Sequence, residues 1–239
     1  MTSSPTRVAA RRDFLTWLLA APALAACSSG EDSLESGSDG RPIYSGEGDE
    51  APADTVEQGS HVCRATKRDA TGPYFEAGSP SRVRIAELNE PGIRLLVEGR
   101  ILGPDCRTPL AGYKIDVWQA DSRGTYYSAG TSSYRLRGKI TSDAQGRYRL
   151  ETILPGRYSD AAGWRPAHLH VSVLTPGGGT LLTTQLYFQG DPYLGAGDYC
   201  TRARVCNSAD PGRILRLADA TVAGKLGKQA TFDAVLART

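Results

Sequence analysis

The sequence predicts an all-β fold: an antiparallel β-sandwich with long loops and little helix. The first observation is a series of short runs, beginning near residue 93, that are rich in β-branched, leucine and aromatic residues. The second is the series of turn-forming segments between them, namely GPD, DSRG, DAQG, LPG and TPGGG. Many short strands separated by such turns are typical of immunoglobulin-like and prealbumin-like sandwiches.

Five of these runs are predicted to be strands, and in chain order they are IRLLVEGRIL, YKIDVWQAD, GRYRLETI, HLHVSVLT and TLLTTQLYF. The TPGGG turn separates the last two, so we expect them to pair as a hairpin. Nearer the C-terminus, DPGRILRLADATVAG is predicted to form a short helix, followed by a last strand around ATFDAVL. The sequence shows no internal repeat, so residues 61–239 are predicted to form one domain.

Residues 1–26 are predicted to be an export signal. Arg11 and Arg12 lie shortly before Phe and Leu, an order that resembles a twin-arginine signal. The apolar run at residues 14–26 is too short for a permanent membrane helix. The LAAC motif resembles the lipobox of bacterial lipoproteins, in which cleavage leaves Cys27 for acylation. We therefore expect an exported protein, either a lipoprotein on the outer face of the bacterial cell membrane or a secreted protein. The alternative is an ordinary cleaved signal with a coincidental cysteine.

Residues 27–60 are predicted to be a flexible acidic tether. They are rich in Ser, Gly, Asp and Glu, contain nine acidic side chains and one arginine, and have few apolar residues to bury. Of the chain's 28 basic and 26 acidic residues, three and one respectively lie before Cys27, which leaves 25 of each. This balance gives no support to a nucleic-acid partner. The only membrane contact that we expect is the lipid anchor at Cys27.

The four remaining cysteines are predicted to form two disulfides, because thiols of exported proteins are usually oxidised. Four cysteines allow three connectivities. Cys200 and Cys206 close a short polar loop and are expected to pair, which leaves Cys63 with Cys106. The alternative is a thiolate metal site, but no CxxC spacing supports it.

Two of the chain's three histidines lie one residue apart on a predicted strand. Residues two apart on a strand point to the same face, so His168, His170 and Ser172 share one face. The apolar residues between them point to the other face and are expected to enter the core. The predicted hairpin brings Gln185 close to the histidines. An H-x-H pair on a rigid strand suits iron, copper or zinc, because neutral imidazole is a common ligand for all three.

Phenolate oxygen is the source that we expect for the remaining ligands, and the candidate tyrosines are at 126, 127, 134, 148 and 158. A free phenol has a pKa of about 10 and is protonated at neutral pH. A bound trivalent cation reverses this preference, because its field stabilises the anion. Two imidazoles with two phenolates therefore suit Fe(III) better than zinc or copper.

Several segments of the chain carry a resemblance to a known family. The segment GWRPAHLHVSV, followed by LTTQLYFQGDPY, resembles the signature region of the intradiol ring-cleavage dioxygenases, which include catechol and protocatechuate dioxygenases. Further segments resemble family blocks in the expected order, namely GPYF, LLVEGRILGPDCRTPLAGYKIDVWQADSRGTYYS, YRLRGKITSDAQGRYRLETILPGRY and ATFDAVL. The resemblance runs from about residue 63 to the C-terminus.

The resemblance implies a β-sandwich that holds one Fe(3+) per chain. The ligands that it implies are Tyr126 in RGTYYS, Tyr158 in PGRYSD, and His168 and His170. Tyr126 is preferred over its neighbour Tyr127 because it keeps the family's distance from the tryptophan in DVWQAD. Tyr158 matches the tyrosinate that leaves the metal when substrate binds.

The resemblance also implies the reaction and the residues beside the substrate. The partners would be a small aromatic diol of catechol type and O2, and the product would be a muconate-type dicarboxylic acid that contains both oxygen atoms. Arg165 in WRPAH and Gln185 match family residues beside the bound ring, and with Tyr158 they are the candidate catalytic residues. Tyr74 in GPYF matches a residue that lines the substrate pocket. The alternatives are a surface salt bridge for Arg165 and simple packing for Gln185 and Tyr74.

Two features of the chain differ from the family's cytoplasmic members. First, they carry a helical N-terminal region used in dimerisation, whereas this chain is predicted to have an export signal and a tether there, so its oligomeric state stays open. Second, the predicted export places the protein outside the cytoplasm, so the substrates of those members need not be its own. Two other hypotheses explain the same strand pattern. One is a non-catalytic, transthyretin-like binding module at the cell surface, and the other is a copper-binding sandwich protein that uses the H-x-H pair.

Overall fold

The computed structural model describes residues 63–239. The predictions of an export signal, of an acylated Cys27 and of an acidic tether concern residues outside this range. Among the described residues, no helix has the length and the apolar character that crossing a bilayer requires.

The described residues form mostly β-strands and a few single-turn helices. The helical segments are α1 (Ala129–Ser132), α2 (Tyr199–Arg202) and two 3-10 turns, Gly195–Gly197 and Pro211–Arg213. The strands are β1 (Arg94–Leu102), β2 (Lys114–Gln119), β3 (Arg137–Thr141), β4 (Arg147–Ile153), β5 (Tyr158–Asp160), β6 (Gly163–Arg165), β7 (His168–Leu174), β8 (Thr180–Phe188), β9 (Ile214–Leu215), β10 (Ala218–Val222), β11 (Lys225–Thr231) and β12 (Ala234–Val235).

Two five-stranded sheets and one small ribbon make up the fold. The first sheet has the order β3-β2-β7-β8-β9. The second has the order β10-β11-β1-β12, and β4 also pairs with β1. The ribbon consists of β5 and β6. Most pairs are antiparallel, but β1 pairs in parallel with β11 and β12, and β8 pairs in parallel with β9. The predicted all-β class is confirmed.

The core contains one face of each sheet. In β7 every second residue is apolar and fully buried, and the same alternation continues in β2 and β8. The residues that these strands contribute to the core are Ile115, Val117, Leu169, Val171, Val173, Leu182, Leu186 and Phe188. They pack with side chains of β1 and β4, among them Leu95, Val97, Ile101, Tyr148 and Leu150. Burial of each large apolar side chain stabilises the fold by about 1.5–3 kcal/mol.

The five predicted strands are present, and β7 and β8 pair as the predicted hairpin, with His170 opposite Gln185. The predicted helix over DPGRILRLADATVAG is wrong. This segment forms the 3-10 turn Pro211–Arg213 and the strands β9 and β10. The reason is tertiary pairing: β9 adds to β8 and β10 adds to β11, so long-range ladders override a local helical preference. The last predicted strand is also interrupted, between Thr231 and Ala234.

The cysteines are joined as two pairs in the structure. Cys63 bonds to Cys106, with Cα atoms 5.7 Å apart, and Cys200 bonds to Cys206, with Cα atoms 5.4 Å apart. The first pair links the start of the described chain to the turn after β1. The second pair closes a loop that follows β8.

Candidate active site

Two imidazoles stand side by side on the polar face of β7. The side chains of His168 and His170 are buried, and their Nε2 atoms lie 3.1 Å apart. His168 Nδ1 donates to the carbonyl of Pro166 at 2.7 Å, because that oxygen can only accept. This hydrogen bond leaves the lone pair of Nε2 free to bind a cation. Two such nitrogens could bind one metal ion together, because metal–imidazole bonds are about 2.1 Å long.

Two tyrosines complete a cluster of four donors. Tyr126, on the loop after β2, has its Oη 3.3 Å from His168 Nε2. Tyr158 begins β5, and its ring centroid lies 5.7 Å from that of Tyr126 and 5.8 Å from that of His168. Gly124 permits this approach: its φ is +86°, and a Cβ there would lie 2.2 Å from the carbonyl oxygen of Arg157.

Tyr127, the neighbour that the sequence left as an alternative, lies outside this cluster. Its Oη donates to Asp121 Oδ2 at 2.8 Å, and the Arg135 guanidinium lies 4.0 Å from its ring centroid. Asp121 also accepts from the backbone N–H groups of Arg123 and Thr125, at 2.8 and 2.9 Å. The carboxylate thereby fixes the loop in the conformation that points Tyr126 toward the imidazoles.

Burial sets the protonation of all four donors. It lowers the pKa of His168 to about 3 and the pKa of His170 well below its ordinary value, with a further contribution from nearby positive charge. Both imidazoles are therefore neutral, which is the form that binds metals. Burial also raises the pKa of Tyr126 well above its ordinary value and that of Tyr158 to about 12.

These donors fit a ferric ion. The two phenols stay protonated unless a strong positive charge stabilises their anions, and a trivalent cation supplies such a charge. Within residues 63–239, no group of three or more His, Cys, Asp and Glu side chains could hold a metal. A metal bound at the histidines would therefore draw its further protein ligands from Tyr126 and Tyr158.

Arg165 lies beside Tyr158, because the two residues are opposite each other in the ribbon of β5 and β6. Its Nε forms a buried ion pair with Asp198 Oδ1 at 2.9 Å. Its Nη2 donates to Gln185 Oε1 at 2.7 Å, and Gln185 Nε2 donates to the carbonyl of Ala70, also at 2.7 Å. Arg165 is thus held by two partners from different parts of the chain, and it lowers the pKa of Tyr158 against the effect of burial.

Aromatic side chains surround the four donors. Tyr74 stacks on Tyr126 with ring centroids 4.1 Å apart, and Trp118 stacks on His170 at 4.9 Å. Phe75 packs edge-on against Trp118. Tyr74 and Phe75 are 38% and 41% exposed, so they offer apolar surface at the edge of the site. The structure therefore brings together the seven residues predicted for the metal and the substrate: Tyr74, Tyr126, Tyr158, Arg165, His168, His170 and Gln185.

Sequence reasoning missed several residues at this site. Trp118 lies opposite His170 in the pairing of β2 with β7, so a prediction of that pairing could have found it. Arg137 is buried, and it donates to the carbonyls of Tyr74 at 2.7 Å and Tyr127 at 2.9 Å. Asp198, the partner of Arg165, is fully buried. Nothing local in the sequence indicates the roles of Arg137 and Asp198, because their partners are distant along the chain.

The ribbon that carries Tyr158 and Arg165 has a second side. Arg157, which directly precedes β5, and Trp164 of β6 line a separate cavity of about 510 Å³. Trp164 is stacked there on Tyr193, with ring centroids 4.9 Å apart. Alternation along the ribbon therefore separates the site side chains from those of this cavity.

Comparison with known proteins identifies the family. A family model described as "Dioxygenase" matches residues 70–238. Catechol 1,2-dioxygenase 2 of Acinetobacter lwoffii is 34% identical over 160 residues, which cover 59% of this chain and 58% of that protein. Chlorocatechol 1,2-dioxygenase of Rhodococcus opacus is 33% identical over 156 residues, which cover 56% of this chain and 60% of that protein. The chain belongs to the intradiol dioxygenase family.

Solved structures agree with this assignment. The dioxygenase domain of a dioxygenase carbohydrate-binding protein fusion from Streptomyces sp. SirexAA-E is 34% identical, with a TM-score of 0.59. The match covers 74% of this chain and 100% of that domain. For 3-chlorocatechol 1,2-dioxygenase of Rhodococcus opacus 1CP, the identity is 28%, the TM-score is 0.63, and the coverage is 74% and 75%. The chain spans about half to 60% of the length of the curated relatives that it matches.

Proposed function

We propose that the protein is an Fe(III)-dependent intradiol dioxygenase, which uses O2 to cleave a catechol-type diol to a muconate-type dicarboxylic acid. The observation that carries the proposal is the convergence of Tyr126, Tyr158, His168 and His170, with Arg165 beside them. Membership in the family supports it, since relatives are named catechol and chlorocatechol 1,2-dioxygenases.

Two neutral imidazoles and two phenolates would hold one ferric ion per chain. When bound, the ion supplies Lewis acidity that draws a diol into the site as an anion and activates its ring toward O2. Burial keeps both imidazoles neutral, so each ring has one nitrogen with a lone pair that could bind the ion. The hydrogen bond from His168 Nδ1 to Pro166 keeps its ring in one orientation.

Tyr158 is suited to accept a proton from a substrate hydroxyl. Burial raises the pKa of Tyr158 to about 12. Its side chain is therefore a protonated phenol at neutral pH whenever no cation binds its oxygen. Arg165, beside it, would face negative charge that develops on the substrate, in a site where burial strengthens electrostatic interactions. Gln185 would keep the guanidinium in place through the bond to its Nη2.

The aromatic side chains would orient the substrate. Tyr74 and Phe75 present apolar rings at the edge of the site, and stacked or edge-on contacts with a planar substrate are favourable there. They would also exclude water from the donors. The partners implied are therefore a small aromatic diol and O2.

Oxygen uptake and metal content test the proposal. Purified protein should contain about one iron per chain, should absorb visible light through tyrosinate-to-iron charge transfer, and should consume O2 with catechol without added reductant. Binding of the aromatic without O2 uptake would indicate a binding module, and copper in place of iron would indicate the copper protein. A yellow semialdehyde product would show cleavage outside the two hydroxyls and would contradict the intradiol reaction.

We also propose that the protein works outside the cytoplasm, as a lipoprotein anchored through Cys27 or as a secreted protein. The Arg11–Arg12 pair and the LAAC motif support this location. The two cysteine pairs support it too, because stable disulfides belong to oxidising compartments. Mass spectrometry of the mature N-terminus should find an acylated Cys27, and an intact residue 1 in exported material would contradict the cleavage.

A further inference from the structure

We propose that Asp198, which lies two residues before the loop that the Cys200–Cys206 disulfide closes, is a positioning residue for Arg165. The inference rests on the proposed function, since it explains how the arginine is held beside the reacting ring. It concerns a residue that the sequence did not indicate, and four observations support it.

The first observation is the burial of the ion pair. Arg165 Nε lies 2.9 Å from Asp198 Oδ1, and the two side chains are 5% and 0% exposed. A buried guanidinium without a counter-charge is strongly unfavourable, so the carboxylate keeps Arg165 from turning away. Gln185 Oε1 binds Nη2 from the other side. The carboxylate of Asp198 lies beside Nε as a counter-charge, and Gln185 Oε1 accepts the hydrogen bond from Nη2, so the guanidinium is held from two sides next to Tyr158.

The second observation is that Asp198 is itself held rigidly. Its Oδ1 accepts from the backbone N–H of Cys200 at 3.1 Å, which makes Asp198 the N-cap of α2. Its Oδ2 accepts from Thr201 Oγ1 at 3.1 Å. The backbone N–H of Asp198 donates to the carbonyl of Gly195 at 3.1 Å. The carboxylate therefore has one position, and Arg165 must adapt to it.

The third observation is the position of the disulfide against this ion pair. Cys206 Sγ lies 3.4 Å from Asp198 Oδ2 and 3.7 Å from Arg165 Nη2. Both cysteines are buried. The bond joins Cys200, in α2, to the end of the loop at Cys206, and α2 itself packs against β6. The sulfur also shields the ion pair from water, which strengthens the interaction.

The fourth observation is that the other partner of Arg165 is anchored separately. Tyr187 Oη lies 3.0 Å from both Gln185 Oε1 and Asp69 Oδ2, and its single proton serves one of them at a time. Asp69 forms a buried ion pair with Arg213. Gln185 also donates from Nε2 to the carbonyl of Ala70 at 2.7 Å, so loss of Asp198 removes one anchor of Arg165 while it leaves the other.

Asp198→Asn tests the proposal. Asparagine keeps the size of the side chain but removes the charge that opposes Arg165. We expect kcat/KM for catechol to fall about tenfold to a hundredfold, because Arg165 loses its buried counter-charge. Iron content and the visible absorption should stay unchanged, because the four donors are intact. Anaerobic titration with catechol should show weaker binding, a readout that is independent of turnover.

A double-mutant cycle separates positioning from a general structural role. If Asp198 acts through Arg165, Asp198→Asn should change kcat/KM less than about twofold when Arg165→Gln is already present. In the metal-free Arg165→Gln protein, the additional substitution Asp198→Asn should raise the midpoint of thermal unfolding. The reason is that it removes a buried carboxylate whose cationic partner is already gone. As a control, Asp116→Asn removes a buried carboxylate that pairs with Lys139, and its effect should be the same with or without Arg165. If the Asp198 and Arg165 substitutions lowered kcat/KM independently, so that their effects multiplied in the double variant, the proposal would be overturned.

The two disulfides offer a matched comparison for the role of the loop. The variant with both Cys200→Ser and Cys206→Ser should lower kcat/KM. When it is combined with Asp198→Asn, kcat/KM should fall little below the value of Asp198→Asn alone. Cys63→Ser with Cys106→Ser should leave kcat/KM of the folded protein unchanged. Equal losses of kcat/KM for both pairs would contradict the role of the loop.

If the wild-type protein took up no O2 with any diol, the proposed function would fail. The double-mutant cycle on thermal stability would still decide whether Asp198 and Arg165 are coupled.

Discussion

His168 illustrates how one hydrogen bond prepares a side chain for chemistry. Its Nδ1 donates to the Pro166 carbonyl, so the other nitrogen, Nε2, carries a lone pair toward His170 and Tyr126. The period of two along β7 places the apolar neighbours in the core and both imidazoles on the opposite face. The sequence predicted this division correctly, because it depends only on strand geometry.

The choice between adjacent tyrosines can be tested with a matched pair of variants. Tyr126→Phe removes an oxygen 3.3 Å from His168 Nε2, so we expect a weaker and shifted visible absorption of the iron-loaded protein, since one of two phenolates is lost, and at least a hundredfold lower kcat, about the scale of an essential group. Tyr127→Phe removes a hydroxyl that binds Asp121, and the absorption should be retained. Absorption spectra of the two proteins decide between them; the reverse result would assign Tyr127 to the metal.

The buried histidines predict a pH dependence of stability for the metal-free protein. The pKa of His168 falls from 6.5 to about 3 on folding, so between these values the unfolded chain binds more protons. The free energy of unfolding should therefore be highest above pH 6.5 and should decrease as the pH falls toward 3. The slope should be about 1.4 kcal/mol per pH unit for each histidine. Urea unfolding at several pH values measures it, and His168→Gln should reduce the slope; an unchanged slope would contradict the assignment.

At the scale of elements, the β7–β8 hairpin connects the core to the site. Its apolar face packs against the second sheet, while its polar face carries His168, His170 and Gln185. The positions of the histidines depend on the packing of the opposite face. A substitution in the core should therefore lower the free energy of unfolding, and it should affect the site only by shifting the strand that carries the histidines.

Leu169→Ala tests this packing. The side chain is fully buried between two histidines of the same strand, so its truncation should lower the free energy of unfolding by about 2–5 kcal/mol. Leu226, in β11, is 90% exposed and provides the control, since Leu226→Ala should change stability by less than about 0.5 kcal/mol. Chemical denaturation measures both; similar losses at the two positions would mean that the hairpin does not face the core.

Some elements could be predicted from the sequence and others could not, for physical reasons. The long strands β1, β7 and β8 have clear patterns of apolar residues. The three-residue strands β5 and β6 are too short to show a period, although they carry Tyr158 and Arg165. The segment at residues 210–224 was wrongly predicted as helix, because its strands depend on partners elsewhere in the chain. At the site, the same limit hid Asp198 and Arg137, whose partners are long-range.

At the scale of the whole molecule, the Cys63–Cys106 disulfide ties the beginning of the described chain to the sandwich. It closes a segment with a sequence separation of 43. A cross-link of this span restricts the unfolded chain and is expected to stabilise the fold by about 2–4 kcal/mol. Neither cysteine contacts the four donors.

Removal of this disulfide should therefore change stability without changing catalysis. We expect Cys63→Ser with Cys106→Ser to lower the free energy of unfolding by about 2–4 kcal/mol. Thermal or denaturant unfolding under non-reducing conditions measures the loss, with the wild-type protein as reference. An unchanged unfolding midpoint would show that the cross-link does not restrain the unfolded chain.

Arg137 has a consequence for how members of this family could diversify. Its guanidinium donates hydrogen bonds to the carbonyl oxygens of residues 74 and 127. These bonds involve only the main chain of the two residues and do not depend on their side chains. Tyr74 and Phe75 can therefore be exchanged for larger, smaller or polar residues while the segment that bears them keeps its path. A change in the small molecule that the site accepts could therefore begin at these two positions, which also contact Tyr126 and Trp118.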